Sequence, residues 1–180
     1  MIVRRARVED ADAIERVRTD TWRDAYRGLM PDSLLSRLGY DATRRRALMA
    51  ALLPDQFVFV AEDGGAVVGF CMGGPSRSLD DPFRGEVYAI YVLPENHGHG
   101  LGRALLHTAA NELVDQGLDS MIIWVLRENA PSRRFYERMG GAWIRDEERE
   151  LDGVRVTESA YGWPDISRSF GGSSGSVQRM

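Results

Sequence analysis

Three glycines alternate along His97-Gly98-His99-Gly100-Leu101-Gly102-Arg103, between a run that reads as a strand and a run that reads as a helix. A helix N-terminus leaves backbone N–H groups unpaired and carries roughly half a positive charge, so it is a ready anion site. Glycine at Gly98, Gly100 and Gly102 removes the Cβ atoms that would hold a phosphate away from that backbone. Two common phosphate motifs do not fit. A P-loop ends in Gly-Lys-Ser/Thr, whereas Gly102 is followed by Arg103 and Ala104. The dinucleotide fingerprint needs a glycine where Arg103 stands. On its own such a turn is also compatible with a purely structural role.

Other residues have chemical potential beside this turn. Asn129 and Tyr136 are close to two helical turns apart and share a helix face. Asn129 ahead of Pro131 is equally an ordinary helix start, and Tyr136 an ordinary core aromatic. Strand alternation puts Glu86 on the same face as Tyr88, Ile90 and Val92, although a strand-end carboxylate also commonly faces solvent. Trp22 and Tyr26 face the same way on the first helix, near the carboxylates Asp20, Asp24 and Asp32. His97, His99 and His107 lack evident companion ligands, so no metal is expected. Arg44-Arg45-Arg46 and Arg133-Arg134 read as solvated helix faces.

The elements that must carry these groups follow from periodicity. A strand is predicted over Ile2 to Ala6 and a helix over Asp10 to Tyr26, with Ala11, Ile14, Val17, Thr21 and Trp22 at helical spacing. Gly28 and Pro31 end it, and a second helical stretch, interrupted near Gly39, reaches Leu53. Two apolar runs around Glu62-Asp63-Gly64-Gly65 predict a hairpin, and Glu86 to Leu93 a further strand. After the glycine turn, Leu101, Ala104, Leu105, Ala109, Leu113 and Val114 mark one helix face, closed by Gly117. Met121 to Val125 is a buried strand, Ala130 to Met139 a helix, and Ala142 to Glu150 with Val154 to Tyr161 a hairpin turning at Asp152-Gly153. Strands alternating with helices before a last hairpin mean a mixed α/β sheet in a single domain over residues 1–166. The Ser/Gly-rich stretch 167–180 is expected to be a disordered tail.

The bulk numbers agree with this. A chain of 180 residues, 43 % apolar and 28 % charged, can bury about 70 % of its unfolded surface in one domain. A net charge of −4 argues against nucleic acid or an anionic membrane as partner, yet a local nest of N–H groups binds phosphate without net positive charge. One cysteine, Cys71, and no long apolar run point to a cytoplasmic protein.

The G-x-G-x-G spacing after Tyr91-Val92-Leu93-Pro94 resembles the pyrophosphate loop of the GCN5-related N-acetyltransferase (GNAT) superfamily. So do the strand order, the segment from Asn129 to Gly140, the stretch Thr21 to Pro31 and the ending Ala160-Tyr161-Gly162-Trp163-Pro164, so the resemblance covers Ile2 to about Pro164. It implies an α/β (α+β) fold with about seven mostly antiparallel strands, a splayed pair and about four helices. It implies acetyl-CoA as acyl donor, with Ile90, Tyr91, Val92, Asn129 and the loop His97 to Arg103 binding it, Arg133-Arg134 within reach of the adenosine phosphates, and the Val92 N–H near the thioester carbonyl. Tyr136 then protonates the departing thiolate, which resembles a cysteine thiolate of pKa about 8.5.

The acceptor is an amine, whose ammonium form, pKa about 10.4, must lose a proton before attack. Glu86 is the expected base, because Ile122-Ile123-Trp124-Val125, where other members carry a glutamate, has no acid. Trp22, Tyr26 and Tyr88 are expected to wall the acceptor pocket. His97 and His99 depart from the Gln, Arg or Lys usual at the loop. The expected function is transfer of acetyl to the primary amine of a small molecule. A protein N-terminus or lysine is the alternative acceptor, a non-catalytic acyl-CoA-binding module the alternative of another class, and homodimerisation is common among such proteins.

Overall fold

The computed structural model describes residues 1–25, 40–78, 81–151 and 153–171. Its elements run β1 (Ile2–Arg5), a 3₁₀ turn (Val8–Asp10), α1 (Ala11–Ala25), α2 (Ala42–Ala50), β2 (Phe57–Asp63), β3 (Ala66–Pro75) and β4 (Gly85–Val92). A second 3₁₀ turn (Pro94–Asn96) leads to α3 (Leu101–Asp115), β5 (Met121–Leu126), α4 (Ala130–Arg138), β6 (Ala142–Leu151), β7 (Val154–Trp163) and α5 (Ile166–Phe170). Tyr26 and the expected second helix before residue 40 lie outside the described residues. The expected domain end at 166 falls inside α5, whose Phe170 is buried against Trp163 and His107. An apolar anchor at Phe170 thus extends the packed domain past the predicted boundary. None of the helices among the described residues is long and apolar enough to cross a membrane.

Seven strands form one sheet in the order β1-β2-β3-β4-β5-β7-β6. Every neighbouring pair is antiparallel except β4 and β5, which the α3 crossover makes parallel. That parallel ladder is short, joining only Gly85–Val87 to Met121–Ile123. Beyond it, β5 remains paired to β7 as far as Leu126 while β4 stays on β3 as far as Val92. The sheet therefore opens between its two central strands.

The two sheet faces can be told apart from cross-strand partners, which share a face in an antiparallel pair. Cys71 is opposite Ile90, and its thiol reaches the Leu105 carbonyl of α3 at 3.5 Å. Phe70 is opposite Tyr91, whose hydroxyl accepts a hydrogen bond from the Trp22 indole of α1 at 2.8 Å. Helix α3 thus covers one face through Leu105, Ala109 and Leu113, and α1 the other through Ile14 and Val17, all of them buried.

A buried ion pair fastens α1 to α2. The Glu15 carboxylate is 3 % exposed and is held by Arg18 and by Arg45 at 2.9 Å. Of the Arg44–Arg46 run, Arg44 and Arg46 lie on the exposed face as expected, Arg46 donating to the exposed Asp12, while Arg45 departs from it and turns inward to Glu15.

Candidate active site

A cleft of about 850 Å³ occupies the opening between β4 and β5 and continues over the start of α3 to α4. Its walls include Tyr88, Ile90, Tyr91 and Val92 of β4, and Ile123, Trp124 and Val125 of β5. The loop contributes His97, Gly98, Gly100, Leu101, Gly102 and Arg103, and α4 contributes Asn129 at its head and Tyr136. Most of the residues expected to hold a donor thus converge on one cavity; His99 is outside its walls.

The loop owes its shape to two glycines in the left-handed region, Gly98 at φ 81° and Gly100 at φ 79°. Gly100 is the N-cap of α3, and a Cβ built there or at Gly98 would meet no protein atom within 4 Å. The concave backbone at the helix start is consequently open toward the cleft. A Cβ built on Gly102, the second residue of α3, would lie 3.4 Å from the Phe135 ring, so α3 and α4 approach closely where both border the cavity. His97 folds back on the strand, its Nε2 lying 2.8 Å from the Val92 carbonyl oxygen. A carbonyl only accepts, so Nε2 carries the proton. The histidine that replaces the usual loop residue ties the loop to the end of β4.

Strand alternation aims the backbone of the gap. The Leu93 N–H donates to the Val68 carbonyl at 2.9 Å, on the β3 side. The N–H groups of Val92 and Ile90 therefore point to the other side, where the β5 ladder has ended at Val87. Donors in a sheet opening are what an extended amide-bearing ligand uses to add itself as a strand.

Tyr136 is 5 % exposed, ringed by Phe135, Tyr161 and Trp163, and its hydroxyl has no hydrogen-bond partner among the described residues. Burial, with a smaller contribution from Tyr91, pushes its pKa well above the ordinary phenol range and keeps it a proton donor at neutral pH. Asn129 caps α4, its Oδ1 accepting the Ser132 N–H at 3.2 Å, which leaves the amide NH₂ for a ligand. The two readings of Asn129, cap and cleft residue, are both realised in the geometry.

Glu86 departs from its expected position. Gly73 pairs with Val87 and Met72 with Ala89, so Tyr88 is an extra residue, a β-bulge that reverses the alternation after it. Glu86 therefore does not share a face with Ile90 and Val92. Its carboxylate is 4 % exposed and accepts from the Arg77 backbone N–H at 2.9 Å, from Arg77 Nε at 3.0 Å and from the Arg77 Nη2. It is not a wall of the cleft. Tyr88 is one, with its hydroxyl donating to the Pro75 carbonyl at 2.6 Å and Arg77 stacked on its ring.

On the α1 side the cleft is bordered by Thr21, Asp24 and Ala25 rather than by Trp22, whose indole is engaged with Tyr91. The helix presents the neighbouring stripe to the cavity, a rotation that 3.6-residue periodicity alone does not specify. Arg133 turns to the Tyr161 hydroxyl and the Arg127 carbonyl, so Arg103 and Arg138, not Arg133-Arg134, are the cations on the cleft. Trp124 is a wall that residue type alone did not single out; its place on β5 beyond the last β4 partner is the signal. Among the described residues no three His, Cys, Asp or Glu side chains gather as a metal site.

A mixed sheet opened at its parallel pair, with a glycine-capped helix start at one end and a buried phenol beside the gap, forms a cleft suited to a long ligand with an anionic end. Comparison with known proteins gives the class. The model of the Acetyltransferase (GNAT) family matches residues 14–141. The uncharacterized N-acetyltransferase YuaI of Bacillus subtilis (strain 168) is 39 % identical over 170 residues, 92 % of this chain and 94 % of that protein. Among solved structures, yncA from Salmonella typhimurium with its cofactor acetyl-CoA superposes with TM-score 0.72 at 25 % identity, over 92 % of this chain and 94 % of that one. The paiA N-acetyltransferase of Thermoplasma acidophilum, in complex with coenzyme A, shares the fold with TM-score 0.65 at 19 % identity, over 88 % and 96 % of the two chains. The chain belongs to the GNAT acetyltransferase family.

Proposed function

We propose that the protein moves the acetyl group of acetyl-CoA to the primary amine of a small molecule by direct attack in a ternary complex. The observation that carries this reading is the parting of β4 and β5 beside a glycine-capped helix start, with the Val92 N–H aimed into the gap and the Tyr136 hydroxyl unpartnered at its wall. The yncA and paiA neighbours, solved with acetyl-CoA and coenzyme A, support the choice of donor.

In this reading the open N–H groups from Gly98 to Arg103 receive the pyrophosphate, and Asn129 the pantetheine arm. The Val92 N–H takes the thioester oxygen as it gains charge. The amine nitrogen forms its bond to the carbonyl carbon, the C–S bond breaks, and the sulfur takes the Tyr136 proton. Burial keeps Tyr136 protonated until the thiolate forms, and the same burial disfavours the thiolate's charge. The nitrogen then sheds its extra proton to solvent and Tyr136 is reprotonated from it, leaving the acetamide and free coenzyme A.

The test is a thermal shift with acetyl-CoA, coupled to thiol release across a panel of primary amines. The expected result is a raised Tm and thiol release with a subset of amines. A raised Tm without turnover on any amine marks a binding module and overturns the enzymatic reading, and an unmoved Tm overturns the donor.

A further inference from the structure

The amine must lose a proton on the side from which it attacks. Tyr136 reaches the cleft from the α4 side of the sheet, so the acceptor side is the α1 face, that of Tyr91 and Trp22. Trp124 shares that face: it is paired with Ala160 and parallel to the row that begins with Glu86 opposite Ile122. The next pair along β5 and β7 is Leu126 with Glu158, and Glu158 is also opposite Glu147 of β6.

Beside Asp24 of α1, which borders the cleft, the strand carboxylates on this face differ in what they already hold. Glu86 accepts three hydrogen bonds from Arg77. Glu147 is chelated by Arg145 at 2.7 Å and Arg149 at 3.0 Å. Glu158 lies 3.0 Å from Arg149 Nε as an ion pair, yet accepts no hydrogen bond among the described residues. Its side chain is 28 % exposed, so water reaches it. Arg149 in turn stacks on the Trp124 ring at 4.6 Å, which places the carboxylate one layer behind a cleft wall.

We propose that the Glu158 carboxylate is the acceptor of the amine proton, through one bridging water at the Trp124 lip, on the opposite side of the cleft from the donor Tyr136. This rests on the acetyl-transfer reading. Before attack, one N–H bond of the bound ammonium breaks toward that water, which passes a proton to Glu158. The freed lone pair attacks, and the extra N–H proton of the adduct leaves to solvent water. The sulfur takes the phenolic proton of Tyr136, and the two side chains are reset through solvent after release. Desolvation raises the Glu158 pKa, opposed by Arg149 and Arg77 and reinforced by Glu147 and Glu86, which is the direction a base working near neutrality needs. The Glu158 charge also reaches the Tyr91 phenol, a cleft wall, where it adds to the effect of burial in raising that group.

The experiment compares wild type, Glu158→Gln and Glu86→Gln with acetyl-CoA, an alkyl primary amine turned over by wild type, and a fluorinated primary amine of lower pKa. Glu158→Gln is expected to lower kcat/KM for the alkylamine about 10²-fold at neutral pH, with recovery as pH rises. With the fluorinated amine, already largely unprotonated, the loss should shrink to under about fivefold, with the acetyl-CoA thermal shift unchanged throughout. A merely structural Glu158 would depress both amines equally. A Glu158→Gln profile parallel to wild type, or the amine-dependent loss appearing in Glu86→Gln instead, overturns the assignment while leaving acetyl transfer standing. Absence of wild-type turnover on every amine overturns the transfer reading and this assignment with it.

Discussion

At the scale of single residues the site depends on groups left without protein partners. The Tyr136 hydroxyl is buried at the cleft yet bonded to nothing among the described residues, while the ring around it is tightly held by Phe135, Tyr161 and Trp163. Removing the hydroxyl therefore separates chemistry from packing. Tyr136→Phe should lower kcat about 10²-fold, with the acetyl-CoA dissociation constant unchanged, because the proton is given only as the thiolate leaves. Stability should move by less than about 0.5 kcal/mol, since no hydrogen bond is lost. An unaltered kcat would remove Tyr136 from the mechanism, and a weakened dissociation constant at constant kcat would recast it as a donor-binding residue.

At the scale of elements, much was legible because it is local. The glycine turn, the cap at Asn129 and the two-turn spacing to Tyr136 are all set within one strand–helix junction or one helix, and the structure brings them to a common cavity. The face of Glu86 was not legible. It depends on a bulge at Tyr88, set in a register that β4 makes with β3, where packing is so close that a Cβ on Gly73 would be 2.6 Å from the Phe57 ring and 2.7 Å from the Glu86 carbonyl oxygen. The importance of Glu158 was equally hidden, because it arises from β7 inserting between β5 and β6, a long-range choice of partner. The loop itself yields a further expectation. Gly100→Val forces a β-branched residue into the left-handed region, at a cost of about 2 kcal/mol, and puts a side chain into the open concavity. The acetyl-CoA thermal shift should vanish. Gly153→Val carries the same backbone strain, at φ 81° in the β6–β7 turn, and should lose comparable stability while keeping the shift. Persistence of the shift in Gly100→Val would detach the loop from the donor.

At the scale of the whole molecule, the apolar core under α1 and α3 is supplemented by ion pairs concentrated on the α1 side. Glu15 of α1 is held by Arg18 and by Arg45 of α2, and Asp10 by Arg4 of β1, which also reaches Glu62 on β2, while α3 contributes one such pair, Glu112 to Arg5. Arg4 holds the Asp10 carboxyl below the usual range. For Glu15, burial works to raise the pKa, but Arg18 and Arg45 outweigh it and the net direction is down. Both groups therefore bind a proton less readily folded than unfolded. Their contribution is complete above the ordinary carboxylate range, about pH 4, and is lost as pH falls through the lower folded values. Glu158, raised by burial, has the opposite sign, so its ionisation costs stability as pH climbs above that same range. Acid unfolding should consequently begin on the α1 side. Glu15→Gln leaves Arg18 and Arg45 facing a neutral amide and should cost about 3 kcal/mol at neutral pH. For a chain of this size that lowers Tm by roughly 9 °C. The gap in Tm between wild type and Glu15→Gln should close on acidification below about pH 4, because the wild-type carboxylate is then neutralised as well. A gap that stays constant down to pH 3 would mean that Glu15 holds its helices by packing, with its charge irrelevant to the fold.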